Sequence, residues 1–179
     1  FYKGFVQINR TKLAALISDV DILLNEILPS LMNSMNYNEK AIVNAEIQKL
    51  KLENNEAKEV YNKKQVSQSE IDTAYEELKN TLDSYYDAVS AETAYKSIVL
   101  LAKEKVENAV VGNGNGQYSQ ESVDALNEAI RIAEEGFESS TILEEIRNIT
   151  KTLKEAIDTF VESVNVIDKA QLEEIISSI

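Results

Sequence analysis

The sequence predicts an all-α protein built from tandem antiparallel three-helix bundles, and three observations lead there. Helix breakers are scarce: 179 residues hold one Pro and five Gly, three of them gathered at Gly112, Gly114 and Gly116. Long stretches are therefore free to be helical. Apolar residues recur three and four apart through most of the chain, the spacing of one buried helix face. One such face is also written twice. With Ile71 set against Ile146, the residues Ala74, Leu78, Leu82, Tyr85 and Val89 fall without a gap against Ile149, Leu153, Ile157, Phe160 and Val164. An apolar stripe kept while its polar residues change marks a packing problem solved twice, as in a repeat protein.

In chain order, Asn9 is placed to cap a first helix with Leu13, Leu16, Ile17, Val20, Leu24 and Ile27 on one face. Pro29 is expected to end or kink it, leaving 30–38 as a linker and Asn38 as the next cap. The second helix presents Ile42, Ile47, Leu50, Ala57, Val60 and Tyr61, with Asn54 interrupting the stripe. Ser67 and Glu70 have capping-box spacing and open a third helix over 67–90. Three such stripes close one small core.

The pattern then starts again. Tyr95, Ile98, Val99, Ala102, Val106 and Ala109 match the spacing of the first helix, so 90–111 is that helix repeated. The run from Gly112 to Tyr118 alternates glycine with asparagine, residues that tolerate positive φ, and predicts a turn. Ser119 can cap the next helix, whose Val123, Leu126, Ile130, Ala133 and Phe137 answer Ile47, Leu50, Asn54, Ala57 and Tyr61. Gly136 and Ser139–Ser140 are expected to close it, and Thr141 with Glu144 to box the copied third helix over 141–164. Ile167-Asp168-Lys169 and Leu172, Ile175 and Ile176 repeat Ile8-Asn9-Arg10 and Leu13, Leu16 and Ile17. The expected division is a bundle over 1–90, a second over 91–165, and the first helix of a further unit over 166–179. No Pro or Gly lies between Tyr85 and Tyr95, so the third helix of one unit should run almost directly into the next unit, giving an elongated molecule.

Composition removes several functions. With 31 acidic and 18 basic side chains, the formal net charge of -13 repels phosphate backbones and anionic lipid surfaces, so no nucleic-acid partner is expected. No apolar run approaches the roughly 20 residues that span a bilayer, so direct membrane insertion is not expected either. With neither His nor Cys, the chain lacks the base of a Ser-His-Asp site, any thiol nucleophile and the best transition-metal ligands. No catalytic residue, metal site or cofactor is expected. Paired acids such as Glu76-Glu77, Glu134-Glu135, Glu144-Glu145 and Glu173-Glu174 invite a glycosidase reading. Adjacent helical residues point about 100° apart, however, and such pairs suit a solvated face.

Tyrosine is the residue type that could carry recognition, because aromatic faces stack on sugars and anchor interfaces. Repeat comparison places Tyr61, Tyr85, Tyr86 and Tyr95 opposite apolar residues, hence in cores. Tyr75 faces Thr150, and Tyr37 and Tyr118 sit in connections. Tyr37, Tyr75 and Tyr118 are therefore the contact candidates.

Gly116-Gln117-Tyr118 with Leu126, Ala129, Ile130 and Ala133, then Ile146, Leu153, Ala156, Ile157 and Phe160, resembles the FIVAR repeat, named for being found in various architectures. The stretch from Ile167 to Leu172 is similar to the hydrophobic-Asp-Lys-x-x-Leu opening of such repeats. The resemblance covers 90–179 well and 8–90 loosely, the first unit having Asn36-Tyr37-Asn38 in place of the glycine-tyrosine turn. It implies three-helix bundles of bacterial extracellular or surface-attached proteins, often beside glycan-degrading or glycan-binding domains, and brings no catalytic residues. The expectation is a monomeric, non-catalytic spacer or adhesion-type module outside the cell. The alternative is a module that binds a protein or glycan, carried on a glycan-degrading enzyme.

Overall fold

The computed structural model describes residues 8–166, and the repeat start read at 167–179 lies outside them. The chain is all-α and divides into two compact units, residues 1–97 and 98–179. The helices are α1 (Thr11–Ile22), α2 (Leu28–Met32), α3 (Tyr37–Asn62), α4 (Gln68–Ala88), α5 (Ala91–Glu107), α6 (Gln120–Ser139) and α7 (Leu143–Glu162). A π-helical turn, Leu23–Ile27, joins α1 to α2.

In the first unit α1, α3 and α4 pack on one another, α3 on α4 most extensively. The direction of each follows from the ties at one end. Asn9 exchanges hydrogen bonds with Gln68 (2.8 and 3.0 Å), fixing the start of α1 beside the start of α4. Arg10 donates to the carbonyls of Tyr61 and Lys63 at the end of α3, and its guanidinium lies over the Tyr61 ring. The helices therefore run up, down, up around a core that includes Leu13, Val20, Val43, Leu50, Leu78 and Tyr85. The five stripe positions within α4, and Val89 just past its end, are all buried.

The structure departs from several local expectations. Arg10, not Asn9, is the N-cap residue of α1 and makes no side-chain cap bond, although Asn9 Oδ1 one residue earlier accepts the Thr11 N–H at 2.9 Å. Likewise α3 is capped by Asn36 rather than Asn38. Asn36 takes the Glu39 N–H while Glu39 returns to the Asn36 N–H, a full capping box. Pro29 does not end the first helix. The π-helical turn carries the Leu28 N–H back to the Leu23 carbonyl, five residues away, and the helix then continues to Met32. The extra residue in that turn buries Leu23 with Leu24 and Ile27 with Leu28, where a regular stripe supplies fewer. On α3, Val43 is the core residue and Ile42 is 46% exposed. Asn54 does not interrupt the face; it is 2% exposed, inside it. The box of Ser67 and Glu70 forms as expected.

In the second unit α6 and α7 pack as an antiparallel hairpin. Ser119 Oγ accepts the Ser122 N–H and caps α6. Gly136 does not close α6 but lies within it. A Cβ there would stand 3.0 Å from Ile149 Cδ1, so the missing side chain lets α7 come close. The Thr141 box does not form. Ile142 is the N-cap residue without a side-chain bond, while Ser140 Oγ accepts the Ile142 N–H and donates to Glu145 at 2.6 Å. The break between α4 and α5 is two residues, with Val89 extended and Ser90 Oγ taking the Thr93 N–H.

Candidate functional site

The three tyrosines singled out from the sequence are not brought together. Tyr37, at the first position of α3, is 86% exposed. Tyr75 is half-buried on α4, and antiparallel pairing of α3 with α4 sets it about 27 Å along the axis from Tyr37 at 1.5 Å per residue. Tyr118, in the second unit, stacks flat on Phe160, with centroids 4.1 Å apart and planes at 9°. Its ring face is spent on packing. Thr150, the position aligned with Tyr75, is buried while its neighbour Ile149 is only half so. Thr150 satisfies itself by donating to the Ile146 carbonyl at 2.9 Å, so a polar residue at that position is no sign of a wet face. Of the tyrosines read as core, Tyr85, Tyr86 and Tyr95 are buried and Tyr61 is half-buried beneath Arg10.

Of the paired acids, Glu134, Glu135 and Glu145 are engaged on helix surfaces, and Glu173-Glu174 lie outside the described residues. Glu134 accepts from Lys103, Glu135 and Glu128 both bind Arg131, and Glu145 takes the Ser140 hydroxyl. The paired guanidinium holds the Glu128 carboxyl below the usual carboxylate range. Partial burial, then the charges of Glu56 and Glu77, push Glu53 above it. Among the described residues no group of three or more acids stands close enough to hold a metal ion. No helix among them is long and apolar enough to cross a membrane.

Each unit carries a groove between its first and second helices. The one between α1 and α3, about 350 Å³, is lined by Ser18, Asp21, Asn25, Glu26, Lys58 and Tyr61 over apolar Ala14, Ile17 and Ile22. Asp21 Oδ1 accepts both Lys58 Nζ at 2.6 Å and Asn54 Nδ2 at 2.7 Å. The one between α5 and α6, about 310 Å³, is crossed by Lys103 and Glu134 at 2.5 Å. Repeat alignment sets Asp21 on Lys103 and Lys58 on Glu134. The same bridge is built twice with its charges exchanged.

The loop from Gly112 to Tyr118 is tied by several hydrogen bonds. Gly112 N–H binds the Tyr118 carbonyl and Tyr118 N–H the Val110 carbonyl, both at 2.9 Å. Gly116 takes φ +77, open to glycine without strain. Asn165, just past α7, grips the loop: it accepts from Gly116 N–H at 2.7 Å and donates to the carbonyls of Gln117 (2.8 Å) and Gly112 (2.9 Å).

No protein-family model, curated protein or solved structure matches the chain.

The features the sequence did not single out are the exchanged ion pair and the Asn165 clamp. The first was legible in principle, since the same offsets that align the apolar stripes pair the two bridges. The second was not, because two of its three bonds use backbone groups that any residue supplies and the third joins the Asn165 side-chain amide to the carbonyl of Gly112, 53 residues away.

Proposed function

We propose that the chain is a non-catalytic structural module, a spacer or adhesion-type repeat of a bacterial cell-surface or secreted protein, akin to FIVAR-type three-helix repeats. The observation that carries this reading is the duplicate ion pair, Asp21–Lys58 and Lys103–Glu134, laid over duplicate apolar stripes. Two copies that keep a bridge while exchanging its charges preserve architecture rather than a reactive group. The remaining notable polar side chains support it, since Asn36, Ser67, Ser119 and Ser140 bind free backbone amides at helix starts. Incubation with bacterial and host polysaccharides is expected to release no product. Product release abolished by Glu134→Gln or Glu145→Gln contradicts the reading.

One observation favours a second reading, a protein- or glycan-binding module appended to a glycan-degrading enzyme. Tyr37 presents an 86% exposed ring at the start of α3, and a ring held that way at a rigid helix end can stack on a sugar or fill a partner's pocket. Saturable binding to a glycan array, lost in Tyr37→Ala with the fold intact, selects this reading. Binding that survives the substitution, or none at all, leaves the structural one.

A further inference from the structure

We propose that Asn113 is a site of spontaneous covalent modification, deamidation to aspartate and isoaspartate, and that Gln117 sets its rate. In this reaction the backbone nitrogen of the following residue loses its proton and attacks the asparagine Cγ. The C–N bond to the side-chain nitrogen breaks and ammonia leaves, closing a five-membered succinimide. Water then opens either carbonyl of the ring, giving aspartate or its β-linked isomer. Water is the only other reactant. A following glycine favours the attack because no Cβ crowds the nitrogen or restricts its approach. The chain has two Asn-Gly steps, Asn113-Gly114 and Asn115-Gly116, both asparagines exposed in the same loop.

Both attacking nitrogens are held. Gly114 N–H donates to Gln117 Oε1 at 2.7 Å, and Gly116 N–H donates to the Asn165 carbonyl at 2.7 Å. A bonded N–H resists deprotonation, and the bond pins the peptide plane against the rotation that brings nitrogen to Cγ. The two guards differ in kind. Asn165 acts through its backbone and is itself tied to Gln117 and Gly112, so releasing Gly116 requires opening the loop. Gln117 acts through a side chain, and rotating that side chain alone frees Gly114. The loop is shaped around it: a Cβ on Gly112 or Gly114 would come within 2.2 or 2.9 Å of Gln117 Oε1. Asn113 is therefore the reactive step. Its β-linked product lengthens the backbone next to Gly112, whose N–H closes the loop on Tyr118, and either product adds a negative charge to an acidic chain.

The test is peptide mapping of the intact folded chain after prolonged incubation at neutral pH, with isoaspartate read by enzymatic methylation. Product is expected at Asn113 before Asn115. Gln117→Ala is expected to speed Asn113 roughly fivefold, the worth of one net hydrogen bond, and to leave Asn115 unchanged. Gln117→Glu keeps an acceptor and should stay near the wild-type rate, which separates loss of the bond from damage to the loop. Product at Asn115 first, no acceleration in Gln117→Ala, or equal acceleration at both steps overturns the proposal.

Discussion

Lys103 Nζ lies 2.5 Å from Glu134 Oε1 across α5 and α6, at the positions where the first unit has Asp21 and Lys58. Each pair is roughly a third to a half exposed, so each contributes at most about 1 kcal/mol. Exchange of the charges does more for specificity. Pairing the first helix of one copy with the second helix of the other sets Asp21 against Glu134, or Lys103 against Lys58, and like charges disfavour both. Tandem repeats misfold by such exchanges.

We predict that Glu134→Lys alone destabilises the second unit by under about 1 kcal/mol. Adding Lys103→Glu should restore it. The double variant gives both copies one polarity, so rapid refolding from urea should trap more misassembled protein than the wild type does. Equal yields from both would remove the sorting role while leaving the pair itself intact.

The caps give a second prediction. Asn36→Ala and Ser67→Ala should each cost about 1 kcal/mol in urea unfolding, whereas Thr141→Ala, whose hydroxyl caps nothing, should be close to neutral. Hydrogen bonds from the Ser67 backbone and hydroxyl, with help from Lys63, hold the Glu70 carboxyl below its usual range. A depressed carboxyl stabilises above its unfolded pKa and loses that contribution as pH falls through the folded one. The gap between wild type and Glu70→Gln should therefore close in acid; a gap that widens there contradicts the assignment.

Tyr85 gives a third, at the other end of the pH scale. Its hydroxyl is 2.8 Å from Ser97 Oγ, and Ser97 donates to the Thr93 carbonyl at 2.8 Å, which leaves Tyr85 as the donor. Burial pushes the phenol up to about 12, only partly offset by Ser97. The unfolded phenol ionises near 10, so between these values the unfolded state releases a proton that the native state keeps. Stability should be flat below pH 10 on this account and fall by about 2 to 3 kcal/mol by pH 12. Tyr85→Phe should cost about 1 kcal/mol at neutral pH and flatten that alkaline limb. An unchanged limb in the Phe variant would mean that other groups cause it.

The fourth concerns Asn54, 2% exposed with Nδ2 on Asp21 and an Oδ1 that meets no donor among the described residues. The aligned position of the second unit is Ile130, also buried. Stranding a buried carbonyl costs about 1 to 3 kcal/mol, and Asp21 keeps Lys58 and water if Asn54 is replaced. Asn54→Ile is expected to raise the urea midpoint of the first unit by about 1 kcal/mol equivalent. A clear loss of stability would show that a bound water completes the asparagine.

What the sequence made legible was periodicity. The α4 and α7 stripes, the Ser67 and Ser119 caps and the glycine turn all follow from spacing or from the chemistry of single residues. The misses have particular causes. Ile42 and Val43 are adjacent and both apolar, so the stripe could be drawn through either. Asn54 is polar by type, and only its Asp21 partner on another helix admits it to the core. Gly136 reads as a terminator until Ile149 is seen to need its missing Cβ. Asn36 and Asn38 are both good caps, and the choice fell to Glu39, three residues after Asn36. The candidate tyrosines separated for the same reason, since Phe160, which covers Tyr118, is remote in sequence.

The most direct measurement compares Leu78→Ala with Leu153→Ala, the aligned central leucines of α4 and α7, at 0% and 1% exposure. Each truncation should cost about 2 to 5 kcal/mol, and a small bundle has only about 3 to 5 kcal/mol to lose. Hydrogen exchange followed by mass spectrometry reads the two units separately within one chain. We predict that Leu153→Ala strips protection from α6 and α7 while α3 and α4 keep theirs, and that Leu78→Ala does the converse. Equal loss of protection in both units from either substitution would contradict the account of two cores built from one repeat.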